Sequence, residues 1–325
     1  MAENNNEEIL LLKKEVNYAV KLLTNGQINE ALKIVEALIK KSPNVPLLYN
    51  IRGVCYQTIR ELGNAIDDFS QATILKSDYA EAYCNLGVTY QEKGDLVSAV
   101  NAYKNAIDND NNYPTAHNNL GKIFLASGEI DSSIEHLECA ITLKSDFADA
   151  HNNLGSAFLR INKLNDAIKS YKKAIALKPD FAVANNNLGI AYLRTGDPKL
   201  ASKFFENAIT ITPGYATAHH NLSGVKVYKE KDKQVSLIES LLIENNLSQK
   251  ERIYLNFALA KAYEDLGNHE ELFKHLNEGN RIRKKEMSNS IADSEEHNEL
   301  IKLFFNSNNI KLTYRDSLPI RPIFI

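Results

Sequence analysis

Five glycines, Gly53, Gly87, Gly121, Gly155 and Gly189, recur at one interval: 155 − 121 is 34, and every other step is the same. Self-similarity at this period means a stack of supersecondary units, each burying its apolar face against its neighbours. Counting each glycine as position 8 of a unit puts a large apolar residue at position 11 (Tyr56, Tyr90, Phe124, Phe158, Tyr192). Position 20 is small (Ala65, Ala99, Ser133, Ala167, Ala201), and so is position 27 (Ala72, Ala106, Ala140, Ala174, Ala208). A bulky residue stands at position 24 (Phe69, Tyr103, Leu137, Tyr171, Phe205). Small residues at 8, 20 and 27 let two helices approach closely, and the bulky ones fill the space between them. Pro43, Pro179 and Pro213 close units where a second helix must stop.

These residues resemble the tetratricopeptide-repeat family, which implies an all-α, right-handed superhelical solenoid of helix-turn-helix repeats. We place a polar N-terminal leader at 1–11 and six repeats over 12–215, namely 12–45, 46–79, 80–113, 114–147, 148–181 and 182–215. The first is degenerate, with Ala19 at position 8. Residues 216–286 hold one decayed unit starting near Ala216 and one displaced unit over 253–286, whose first helix starts from a Ser248/Glu251 capping box. The family's usual tryptophan at position 4 is absent; Tyr49, Tyr83, His117, His151, Asn185 and His219 stand there, which softens packing without disturbing the period.

Composition narrows function. Lysine and arginine total 38 against 41 acids, for a formal charge of −3, so the broad positive footprint of a nucleic-acid binder is missing. The opening MAENNNEEIL lacks the pattern of a signal peptide, and no run approaches the ~18 apolar residues of a membrane span. A cytoplasmic chain is expected. Cys55, Cys84 and Cys139 read as reduced thiols. His117, His151 and His219 occupy one position of separate repeats, so they are read as packing residues and no metal is expected. His269 and His275, six apart, do not share a helix face. Arg281, Arg283, Lys284 and Lys285 form either an anion site or a favourable helix C-terminus. No nucleophile, phosphate-loop or dinucleotide motif occurs, so no catalytic residue is assigned.

Position 6 carries a ladder: Asn17, Asn85, Asn119, Asn153, Asn187 and Asn221. Asparagine costs a helix interior about half a kcal/mol relative to alanine, so its register asks for a reason. Family resemblance places position 6 on the concave groove, where a primary amide can pair with both N–H and C=O of an extended peptide. Asn118, Asn152, Asn186, Lys122, Arg160 and Arg194, with Gln91, stand nearby at positions 5, 9, 12 and 13. The alternative reading is an asparagine-rich composition scattered over tolerated surface. The chaperone-tail clamps of the family use lysine at position 5, which no repeat here has. The expected partner is therefore a protein or peptide in extended conformation, with no nucleic acid and no membrane.

Residues 293–305 read as an amphipathic helix, and the final Pro-Ile-Phe-Ile reads as a strand with no sheet to join. Residues 216–325 resemble the junction between repeats and enzyme domain in bacterial tetratricopeptide-repeat sulfotransferases. That resemblance implies that 287–325 begins a sulfotransferase domain and stops before the loop that binds the phosphosulfate donor PAPS. The parent protein would then be a PAPS-dependent sulfotransferase, although this chain itself holds no cofactor site. The asparagine ladder also resembles the repeat arm of O-linked N-acetylglucosamine transferase, which gives a glycosyltransferase arm as a further reading.

Overall fold

The computed structural model describes residues 2–244 and 246–286, with side chains from residue 10 onward. The described residues are helices joined by short turns, with no strand among them. Two compact units divide the chain, Met1–Ile211 and Thr212–Ile325.

In the first unit the helices pair in sequence order. The pairs are α1 (Ala2–Thr24) with α2 (Ile28–Lys41), α3 (Pro46–Thr58) with α4 (Leu62–Leu75), and α5 (Ala80–Lys93) with α6 (Leu96–Asn109). Then come α7 (Pro114–Ser127) with α8 (Ile130–Leu143), α9 (Ala148–Arg160) with α10 (Leu164–Leu177), and α11 (Ala182–Arg194) with α12 (Pro198–Ile211). Residues 2–11, which the sequence set apart as a leader, are helical and form the first part of α1. Helices α2, α10 and α12 end two residues before Pro43, Pro179 and Pro213, whose rings cannot continue the hydrogen-bond ladder.

The close approach follows the small residues. Every position-20 and position-27 side chain from Ala65 to Ala208 is buried, and Phe69, Tyr103, Leu137, Tyr171 and Phe205 are fully enclosed. Each of these bulky groups lies directly on the position-8 glycine of its own repeat. A Cβ at Gly155, for example, would stand 2.7 Å from Tyr171 Cε1. In the 114–147 repeat Ser133 adds a polar tie, its hydroxyl donating to the Gly121 carbonyl at 2.7 Å.

Position 15, at the turn between paired helices, is left-handed: Gly26, Gly94, Gly128 and Gly196 have φ between 78° and 88°. Arg60 and Asn162 hold the same place at φ 66° and 59°. Side chains other than glycine's crowd the following carbonyl there, at roughly 1–2 kcal/mol. The ion pair of Arg60 with Glu92 is 4.0 Å long and exposed, so it returns little. Arg60→Gly is therefore expected to raise stability by about 1 kcal/mol, seen as a higher urea midpoint. An unchanged or lower midpoint would mean that the turn is not strained.

The second unit departs from the period. Its first helix, α13 (Ala216–Ser223), is only 8 residues long, and an irregular segment leads to α14 (Lys233–Ile243). Asp232 caps α14 by accepting from the Gln234 and Val235 amides, and the Tyr228 hydroxyl donates to Gln234 at 2.8 Å. Helix α15 (Gln249–Asp265) begins at Ser248 with both halves of the expected capping box, and α16 follows over 269–286. The core here is Tyr228, Val235, Ile238, Leu255, Leu259 and Tyr263. The helix read over 293–305 and the Pro-Ile-Phe-Ile strand lie outside the described residues.

Candidate peptide-binding face

The odd-numbered helices from α3 to α11 carry positions 5 and 6 side by side, and the structure couples them between repeats. Asn85 donates its Nδ2 to Asn50 Oδ1 at 3.0 Å, Asn153 to Asn118 Oδ1 at 2.9 Å, and Asn187 to Asn152 Oδ1 at 3.0 Å. Each bond spans 35 residues, one repeat plus one position. Within repeats, Asn118 and Asn152 make longer 3.4 Å contacts to Asn119 and Asn153. Side-chain amides thus form a relay from Asn187 through Asn152, Asn153 and Asn118 to Asn119.

In the 80–113 repeat, Cys84 stands at position 5 where an amide would be needed. No amide bond crosses there; the Tyr103 hydroxyl on α6 donates to Gln91 Oε1 at 3.2 Å. Burial pushes the Cys84 thiol up to about 12 and Cys55 to about 11, so both stay protonated and inert at neutral pH. Asn50 closes the other end by donating to Glu81 Oε1 at 3.2 Å.

Position-6 and position-5 residues therefore differ in kind. Asn85, Asn119, Asn153, Asn187 and Asn221 are half-buried and reach the surface. Asn118, Asn152 and Asn186, at 7%, 7% and 2% exposure, are buried between repeats and are not free groove-lining groups. Asn17 is exposed on α1. Of the cations, Lys122 and Arg160 are exposed, while Arg194 donates to the Leu159 carbonyl at 2.8 Å and ties α11 to the end of α9. Sequence reading missed Asn50 and the Tyr103 hydroxyl. The signal for Asn50 was an asparagine one position before the ladder.

The position-4 histidines His117, His151 and His219 do not converge on one another. His117 Nδ1 lies 3.0 Å from Nδ1 of His136, His151 Nε2 meets the Ser145 carbonyl at 3.1 Å, and His219 Nε2 meets that of Pro213 at 2.8 Å. Burial holds His117, His136 and His219 below the usual imidazole value, so they are neutral at pH 7. Among the described residues no group of three or more metal-ligating side chains forms. His275 instead meets Asn256 Oδ1 at 2.9 Å, and His269 is exposed. Of the basic cluster on α16, Arg281 forks onto Glu278 at 2.7 and 2.8 Å. No helix of the described residues is long and apolar enough to cross a membrane.

A part-buried ion pair sits in the 46–79 repeat. Arg52 donates from Nε and Nη2 to both Asp68 oxygens at 2.7 and 2.6 Å, and its guanidinium lies 5.6 Å from the Tyr49 ring centroid and 5.9 Å from that of Tyr56. The Asp68 hydrogen bond raises the Arg52 pKa, burial pushes the Asp68 carboxyl up against the pull of Arg52, and the two-pronged geometry keeps both ionised at neutral pH.

A TPR repeat model matches residues 61–94, 90–128, 121–162 and 157–196, and a tetratricopeptide repeat model matches 182–215. Residues 61–215 are tetratricopeptide repeats. A chain of the APC/C hetero-tetramer Cut9–Hcn1 superposes with a TM-score of 0.61 at 19% identity. That match covers 74% of this chain and 48% of the other, so the chain spans about half the length of that relative. The C-terminal part of a TPR repeat-containing protein from Cytophaga hutchinsonii gives a TM-score of 0.51 at 23% identity, covering 74% of this chain and 99% of that one. YrrB, described as a TPR protein with an unusual peptide-binding site, gives 0.47 at 20%, covering 57% and 96%. At these identities the likeness is one of fold. No curated protein matches the chain. The tetratricopeptide solenoid is an architecture typical of protein–protein interaction and is generally a non-catalytic scaffold.

Proposed function

We propose that the chain is a protein-binding scaffold whose asparagine-bearing face takes an extended peptide by its backbone. The observation that carries this reading is the amide relay. One hydrogen of each Nδ2 in Asn85, Asn153 and Asn187 is committed to the preceding repeat, which fixes the side-chain rotamer. A second N–H remains on each amide, and its oxygen accepts at most a long contact. A row of amides already held in place loses little conformational entropy when a peptide backbone docks, and it reads no side chains. Lys122 and Arg160 flank the row and favour acidic residues beside the docked backbone.

The test is a strong binder selected from a peptide library, measured by calorimetry against the paired variant Asn118→Leu/Asn153→Leu. Leucine matches asparagine in shape and removes donor and acceptor together, so the fold is retained. Binding is expected to weaken about tenfold, and to weaken similarly when the peptide's central amides are N-methylated. Unchanged affinity in both arms rejects backbone reading.

We further propose, on the resemblance of 216–325, that this scaffold presents protein substrates to a PAPS-dependent sulfotransferase domain. Reading the gene beyond the Ile325 codon tests it: an immediate stop with no frameshifted phosphate loop nearby defeats the idea.

A further inference from the structure

One slot recurs beside the position-11 ring and is filled by a flat group in three repeats. In the 46–79 repeat the Arg52 guanidinium, held by Asp68 at position 23, lies over Tyr56. In the 114–147 repeat His136 at position 23 stacks on Phe124, centroids 5.4 Å apart and planes at 17°. In the 182–215 repeat Phe204 at position 23 stacks on Tyr192 at 5.5 Å and 6°. Ala102 is small, but it is buried in a cluster with Phe69, Leu86, Tyr56 and Tyr90. In the 148–181 repeat, position 23 is Ser170, too short to reach across to Phe158.

A cavity of about 840 Å³ opens there, with Phe158 and Ser170 both in its wall. Its floor is Ile141, Leu154 and Phe158, and its volume falls within the roughly 300–1,000 Å³ of small-molecule pockets. Three lysines, Lys169, Lys172 and Lys173, rim it against two acids, Glu138 and Asp166. None of the three lysines is in an ion pair among the described residues, although Lys172 Nζ lies 5.6 Å from the Tyr192 ring centroid. Lys163 Nζ lies 5.9 Å from the Phe158 centroid.

We infer that this cavity binds a small planar aromatic anion, its ring stacked on Phe158 in the place that His136 and Phe204 take in neighbouring repeats, its charge met by Lys169, Lys172 and Lys173. The neighbouring repeats show which geometry the slot accepts, because stacked rings at this separation contribute beyond the area they bury. The lysines supply the sign of the ligand's charge. The volume leaves room for an anionic arm beyond the ring. The wall is shared by α8, α9 and α10, and its α9 residues stand at positions 4, 7 and 11, a different helix face from the position-5 and position-6 amides.

The test uses the full chain and three probes followed by calorimetry: 1-naphthoate, its uncharged amide, and cyclohexanecarboxylate, which has the charge without the flat ring. Saturable naphthoate binding is expected, about tenfold tighter than either control. Ser170→Phe places in the slot the side chain that Phe204 supplies one repeat later; it is expected to abolish naphthoate binding and to raise the melting temperature, while Ser170→Ala binds as the parent does. Should Ser170→Phe misfold, Lys169→Gln/Lys173→Gln decides: it lowers naphthoate affinity and leaves the amide's unchanged. Equal affinity for the three probes, or full naphthoate binding by folded Ser170→Phe, overturns the inference.

Discussion

Replacing Asp68 with alanine lowers folding stability by about 3 kcal/mol, measured as a shifted urea midpoint at constant slope. The loss comes from what is left behind. Arg52 would keep its charge, packed on Tyr49 and Tyr56, with both of its close acceptors gone. The usual cost of breaking a buried pair is about 3–5 kcal/mol, and the low end applies because the Arg52 side chain is still 23% exposed while that of Asp68 is 6%. The control is Arg52→Met/Asp68→Leu, expected to lie within about 1 kcal/mol of the parent, since desolvating the pair consumes most of its attraction. A loss below about 1 kcal/mol for Asp68→Ala would show that water already screens the guanidinium.

Asn153→Ala is expected to cost about 1–3 kcal/mol, because the Asn118 oxygen it caps is buried and would be left without a donor. Asn187→Ala should cost a similar amount through Asn152, while Asn17→Ala on the exposed face of α1 should stay within about 0.5 kcal/mol. The pair Asn118→Leu/Asn153→Leu should recover most of the loss, and thermal melts of the four variants check the series. Equal effects at Asn17 and Asn153 would mean that the relay bonds carry no net stability. The series also bears on function: alanine substitutions along the ladder weaken the array itself, so lost peptide affinity in them does not by itself identify a contact.

The fold was legible because the 34-residue spacing places small residues at the three points where helices touch, and Gly155 against Tyr171 is that rule in a single contact. The first unit follows the expected register helix by helix. The second was harder to read: after Ser223 the pattern stops carrying the helix, and Tyr228, Gln234 and Asp265 bond across a segment with no period. In the candidate site, the register of the asparagines was legible and their partners were not. The bond from Asn153 to Asn118 joins positions in different repeats, and its existence depends on how one pair packs on the next. The His117–His136 contact escaped for a related reason, since it crosses between the two helices of one repeat while the sequence lined up His117 with His151 and His219. The Cys84 gap in the relay is visible in sequence only once position 5 is known to accept from the following repeat.

The position-23 slot has a consequence for how such an array changes over time. Copies of one unit offer the same recess several times, and each copy can be edited without disturbing the others' register. A bulky substitution in one copy converts an opening into an internal brace, and the reverse change, as at Ser170, opens a recess at the cost of a brace. Selection for durability and selection for recognition therefore act on the same codon, in different copies, within a single gene.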